Sequence, residues 1–163
     1  MLTAAEYNTI TKLYADNLYR YALKVNGDAV LAQDIIQNVF LKLWQIRERV
    51  NVESVKALLY KMTYQQGIDQ YRSEKSRTER EITASYESHD TFVQLGSRDL
   101  LEIAFKTLSA EAKNLILLRD YEGYSYAEIS DLTSLPLSTV KVNLYRARKK
   151  MQEQLLTLEN EVK

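Results

Sequence analysis

The side chains best suited to meeting a polyanion are concentrated in one stretch. Between Leu137 and Met151 lie Lys141, Arg146, Arg148, Lys149 and Lys150, with Asn143 and Tyr145 among them and no acidic residue. The flanks are of the other sign. Residues 98–136 carry four basic against seven acidic side chains, and residues 152–163 one Lys against three Glu. The whole chain has 22 of each and no net charge, so its neutrality hides a local positive strip. Lys and Arg in such a strip neutralise phosphates, while Ser138, Thr139, Lys141 and Asn143 at its start have donors and acceptors suited to base edges. An ordinary helical hairpin with a solvated basic face would show the same charge run. The acidic surroundings of this one strip favour DNA.

Two short helices must position it. Gly123 can end a preceding helix, and Ser125 stands three residues before Glu128, a capping box. Ile129 and Leu132 give that helix an apolar side, and residues 133–136 (Thr-Ser-Leu-Pro) break it. Ser138 or Thr139 can cap the next helix, whose stripe is Val140, Leu144, Ala147, Met151 and Leu155. This is the layout of a helix-turn-helix, in which the second helix enters the major groove with its N-terminal end leading.

The rest of the chain also reads as helical, with four Gly, one Pro and apolar residues recurring every three or four positions. A first helix covers Ala4 to Val25 and is closed by Asn26-Gly27. A second follows Asp28 to about Ile46, with Ala32, Ile35, Ile36, Val39 and Leu43 inward. Its other face, Asp34, Gln37, Asn38, Leu41 and Gln45, mixes polar and apolar groups, with Phe40 and Trp44 near the edges, and suits either a protein contact or plain surface. After a polar break over 47–54, a third helix starts at Val55. Its Tyr60, Tyr64 and Tyr71, interleaved with Lys61 and Arg72, suit either stacking on single-stranded nucleic acid or a core role. Residues 79–97 lose the periodicity and divide the chain into a unit over 1–78 and one over 98–163. The expected architecture is all-α: two small helical domains joined by a flexible linker, the C-terminal one a helix-turn-helix.

Composition excludes several function classes. There is no Cys, hence neither a disulfide frame nor a thiolate metal site, and the one His, His89, lies in the linker. No nucleophile–base pair, P-loop or metal-ligand cluster stands out, so neither catalysis nor a cofactor is expected. No apolar run approaches the ~20 residues of a membrane span, and no signal sequence opens the chain. The expectation is a cytoplasmic protein with no membrane insertion.

Three stretches together resemble a known family. Residues 27–44, GDAVLAQDIIQNVFLKLW, are similar to the polymerase-clamp helix of the extracytoplasmic-function (ECF) bacterial RNA polymerase sigma factors. Residues 59–72, LYKMTYQQGIDQYR, resemble that family's promoter-melting helix, and residues 108–150 its carboxy-terminal domain. The resemblance implies a promoter-specificity subunit whose partners are RNA polymerase core, duplex minus-35 DNA and melted minus-ten DNA. By position, Asp34, Gln37, Asn38, Leu41 and Trp44 would touch the polymerase. Asn51, Glu53 and Ser54 in the loop over 49–54, with Lys61, Gln65 and Arg72, would meet minus-ten DNA. Ser138, Thr139, Lys141, Asn143, Arg146 and Arg148 would lie on minus-35 DNA. The family is commonly silenced by an anti-sigma protein that covers its polymerase faces, and exposed apolar groups at Leu41 and Trp44 would suit such a partner. Departures include Asn38-Val39 for the usual Glu-Thr, Tyr64-Gln65 for Arg-Asn and Val142-Asn143 for Ser-Arg, which bear most on base preference. The other reading of the residues is a freestanding helix-turn-helix regulator that never enters polymerase.

Overall fold

The structure, a computed structural model, describes residues 1–78 and 97–162, with side chains over 1–70 and 99–161. The described residues form seven α-helices: α1 Ala4–Asn26, α2 Ala29–Gln45, α3 Val55–Thr78, α4 Ser97–Lys106, α5 Ala110–Ile116, α6 Tyr126–Thr133 and α7 Leu137–Val162. The linker expected over 79–97 lies outside them, apart from Ser97, which begins α4. None of the described helices is long and apolar enough to cross a membrane.

Local chemistry sets the helix ends. Thr3 and Glu6 form a capping box at the start of α1, which satisfies N–H groups that have no carbonyl one turn earlier. Gly27, at φ 71°, ends α1 in the left-handed region, where a side chain would be strained. Asp28 then caps α2, accepting from the Val30 and Leu31 N–H groups at 2.9 and 3.2 Å. Ser109 caps α5 in the same way. A π turn over Leu117–Tyr121 extends α5, and Gly123, at φ 74°, closes it.

Helices α1, α2 and α3 pack on one another through Ile10, Leu18, Ala22, Val25, Ala32, Ile35, Val39, Leu43, Leu59 and Met62, all buried. In the second half, α4, α5 and α6 all pack on α7 around Leu108, Leu115, Leu118, Ile129, Val140 and Leu144. The halves share one buried cluster, because α1 and α3 rest on α5, and α3 also rests on α6. Four consecutive apolar residues, Leu115–Leu118, surround their helix on every side, and all four are buried.

The contact between halves is built from tyrosines. Tyr21 donates its hydroxyl hydrogen to Asn114 Oδ1, with the two residues 3% and 1% exposed. The Asn114 amide in turn donates to the Ala110 carbonyl at 2.8 Å, so its oxygen is left for Tyr21. Tyr60 packs edge-on between Tyr21, at 5.4 Å between ring centroids, and Tyr124, at 5.8 Å. Lys24 stands 4.4 Å from the Tyr121 ring and Lys56 5.7 Å from that of Tyr124. Burial, with Glu122 and neighbouring tyrosines adding to it, raises the pKa of Tyr60. Burial likewise raises that of Tyr21. Tyr60 is therefore core, which corrects its candidacy as a base-stacking ring. Tyr64 is half-buried, and the Tyr71 side chain lies outside those described.

Candidate nucleic-acid interface and docking face

The turn of the helix-turn-helix is held by its own side chains. Ser125 and Glu128 form the capping box, with Ser125 N–H to Glu128 Oε2 at 2.8 Å and Glu128 N–H to Ser125 Oγ at 3.1 Å. Thr133 Oγ1 donates to the Ile129 carbonyl at 2.7 Å, and Ser130 Oγ to the Leu135 carbonyl at 2.5 Å. Ser134 turns the chain at φ 61°. Helix α7 then starts at Leu137, with Val140 N–H donating to the Pro136 carbonyl at 3.0 Å. Ser138 and Thr139 sit inside the first turn and not at its cap. The fixed φ of Pro136 suits a helix entrance and moves the start forward of both.

Val140, Leu144 and Ala147 are buried against the rest of the unit, and they set the phase of α7. Ser138, Lys141, Val142, Tyr145, Arg146 and Lys149 face solvent, whereas Thr139 and Asn143 are half-buried on one flank. Asn143, Arg146 and Lys150 line a shallow depression with Ser109, Glu111 and Leu115. Arg148 lies on the opposite flank. Its Nη2 meets Asp120 Oδ1 at 2.5 Å and its Nε meets Oδ2 at 3.4 Å, a forked pair joining α7 to the turn before Gly123. Hydrogen bonding to Asp120, and then to Tyr126, raises the pKa of this guanidinium. The structure thus brings together Ser138, Lys141 and Arg146 of the expected set, holds Thr139 and Asn143 beside them, and commits Arg148 to Asp120. Choosing polar residues by type passed over Val142 and Tyr145. Both lie at the centre of the exposed face, and the phase of the apolar stripe would have found them.

On α2, Asp34, Gln37, Asn38 and Leu41 are exposed along one face, and Trp44 is half-buried at its end. Leu41 stays 56% exposed although the halves pack together. The Trp44 ring lies edge-on to Tyr7 at 4.9 Å and under the Arg47 guanidinium at 4.3 Å. Arg47 also donates to the Trp44 carbonyl at 3.0 Å, and Tyr7 to the Phe40 carbonyl at 3.0 Å. Ala4, Tyr7 and Asn8 of α1 complete a shallow groove with Leu41 and Trp44. No sequence pattern assigned those three to this face, since their contribution depends on how α1 packs against α2.

Asn51, Glu53 and Ser54 form an exposed 3-10 turn before α3. Asn51 Oδ1 accepts from Glu53 N–H at 3.1 Å, and Ser54 Oγ donates to the Asn51 carbonyl at 3.2 Å, so the turn is preformed. Half-buried Lys61 and exposed Gln65 follow, one helical turn apart on α3. Arg72 lies further along α3, outside the residues whose side chains are described.

The described residues are helical, with a preformed helix-turn-helix beside further helices, an arrangement suited to binding DNA. Two family models match separate stretches of the chain. Sigma-70 region 2 matches residues 10–77 and Sigma-70, region 4 matches residues 98–151. The chain is 31% identical over 154 residues to the ECF RNA polymerase sigma factor SigL of Mycobacterium tuberculosis, covering 88% of this chain and 87% of that one. It is 32% identical over 144 residues to the RNA polymerase sigma factor SigV of Bacillus subtilis, covering 87% and 86%. Its fold matches that of the sigma factor RpoE in a co-crystal structure with the anti-sigma factor NepR from Bartonella quintana. There the TM-score is 0.72 at 22% identity, over 92% of this chain and 96% of that one. A second match is CnrH in complex with the cytosolic domain of CnrY, with a TM-score of 0.68 at 16% identity, over 95% and 90%. The chain belongs to the ECF RNA polymerase sigma factors, a family of transcription initiation factors.

Proposed function

We propose that this sigma factor binds core RNA polymerase in the cytoplasm through the Asp34–Trp44 face and directs initiation at promoters read at two places. The domain over 1–78 docks on polymerase and handles melted minus-ten DNA, using Asn51, Glu53, Ser54, Lys61, Gln65 and Arg72. The domain over 98–163 reads duplex minus-35 DNA with α7, through Ser138, Thr139, Lys141, Asn143 and Arg146. Arg148 serves there by fixing α7 through Asp120. The protein performs no bond chemistry of its own. An anti-sigma protein holds it off polymerase by covering the same α2 face, as suits a chain similar in fold to the sigma factor RpoE, solved with the anti-sigma factor NepR.

The observation that carries this reading is the exposed face of α2, with Leu41 open to solvent beside a groove floored by Trp44 and Tyr7. A freestanding helix-turn-helix regulator has no use for that face. In a pull-down with core polymerase, Asp34→Lys combined with Asn38→Lys is expected to weaken capture while the helical circular-dichroism signal stays unchanged. Undiminished capture of the folded double variant would refute docking through α2. A wild-type chain that binds duplex DNA but not polymerase would establish the freestanding regulator instead.

A further inference from the structure

The exposed face of α7 carries two groups that a purely phosphate-binding helix does not need. Val142 is 45% exposed and Tyr145 66% exposed, and they stand one turn apart at the centre of that face. Ser138, Lys141, Arg146 and Lys149 surround them, and no acid occurs between Leu137 and Met151. The fold makes no use of either apolar surface, since the inward stripe is Val140, Leu144 and Ala147. A β-branched residue at an exposed helix position also lowers helix propensity slightly. The surrounding positive charge selects a polyanionic occupant, and the helix-turn-helix frame selects the major groove of a duplex.

In that groove the edges of the base pairs are donors and acceptors with one exception, the C5-methyl group of thymine. The Val142 side chain and the ring of Tyr145 therefore have one apolar complement among the base edges, the thymine methyl. Side chains one helical turn apart are separated by about 4.5 Å of rise, comparable to the roughly 3.4 Å between stacked bases, so Val142 and Tyr145 are close enough to meet neighbouring base pairs. We propose that Val142 and Tyr145 read thymine C5-methyl groups at two neighbouring positions of the minus-35 element, which therefore carries A·T pairs there. This rests on the assignment of α7 as the minus-35 reader and adds the base class that it prefers.

The test uses the full chain bound to core polymerase and a duplex enriched from a randomised pool. Each thymine of the enriched site is replaced in turn by deoxyuridine, which removes the methyl and leaves base pairing intact. Affinity is expected to fall about fourfold at each of two neighbouring thymines, the effect of one buried methyl-sized group. Val142→Ser should abolish the penalty at one of them and Tyr145→Gln at the other. Both positions are exposed, so the variants should keep the wild-type circular-dichroism spectrum, and the deoxyuridine series needs no variant at all. A site that is enriched and bound yet indifferent to deoxyuridine at every thymine would overturn the methyl reading and leave α7 as a DNA reader. Failure to enrich any sequence would overturn α7 as the minus-35 reader, and the methyl reading with it.

Discussion

The hydrogen bond from Tyr21 to Asn114 joins the two halves across 93 residues of sequence, and the proposed function requires that it break. Elements at minus-ten and minus-35 are about 25 base pairs apart, which at about 3.4 Å each is roughly 85 Å of duplex. A compact chain of this length has a radius of gyration of about 15 Å and a diameter near 40 Å. The closed form cannot lie on both elements, so α1 and α3 must part from α5 and α6. Tyr21→Phe leaves the buried Asn114 oxygen without its donor and is expected to destabilise the closed form by about 1–3 kcal/mol, raising the open fraction by roughly 5- to 150-fold. Asn114→Leu strands the Tyr21 hydroxyl and should act similarly. Tyr21→Phe with Asn114→Leu replaces both polar partners by apolar groups of similar shape, a change that can be nearly neutral, so the double variant should close again. The natural chain has no Cys, so dyes on cysteines introduced at Glu48 and Glu153, both exposed, would report opening by energy transfer. Unchanged transfer in Tyr21→Phe, or a double variant as open as the singles, would refute the hydrogen bond as the latch.

Two further expectations concern the same tyrosine cluster. The Tyr124 hydroxyl oxygen is buried without a hydrogen-bond partner among the described residues, so Tyr124→Phe should stabilise the closed chain by about 1 kcal/mol in urea unfolding. A loss of stability of that size would show that the hydroxyl has a partner after all. Burial, with Glu122 and Glu128 adding to it, pushes the pKa of Tyr124 up to about 12, and those of Tyr21 and Tyr60 are raised chiefly by burial. A folded pKa above the unfolded value of about 10 means that folding favours the neutral phenol. That contribution is complete below pH ~10 and is lost as the pH climbs through the folded values, so energy transfer should hold from pH 7 to about 10 and fall beyond it. A fall centred well below pH 10 would trace closure to other groups.

What could be read from the sequence was what neighbouring residues decide among themselves. The caps at Asp28 and Ser125, the glycine stops at 27 and 123 and the inward stripe of α2 each depend on residues within a turn or two, and each stands where expected. A cap at Ser138 or Thr139 places the entrance to α7 two or three residues late, because Pro136 competes with them as the starting point and its rigid ring prevails. The pairing of Tyr21 with Asn114 had no such local signature. The four apolar residues Leu115–Leu118 are all buried, and nothing in that run says against what. Residue type alone was also a poor guide to which cations are free. Arg148 and Arg146 are both exposed arginines on α7, yet Asp120 engages only Arg148 by a forked pair among the interactions described.

Docking, as proposed, and closure involve different surfaces of the structure. The halves meet through α1 and α3, whereas the exposed row Asp34, Gln37, Asn38 and Leu41 belongs to α2. Covering that row does not require breaking the tyrosine contacts, and breaking them does not uncover it. On the proposed docking face, polymerase would engage the closed chain first and open it afterwards, and a partner that hides only α2 would silence a chain that is still latched. The two orders separate by measurement. If docking precedes opening, Tyr21→Phe should leave the association rate with core polymerase within about threefold of wild type, since it alters no contact in the encounter. It should nevertheless strengthen promoter binding in proportion to the added open fraction, because the conformational penalty has already been reduced. An association rate that rises in step with the open fraction would show that polymerase selects the opened chain, and the order would be reversed.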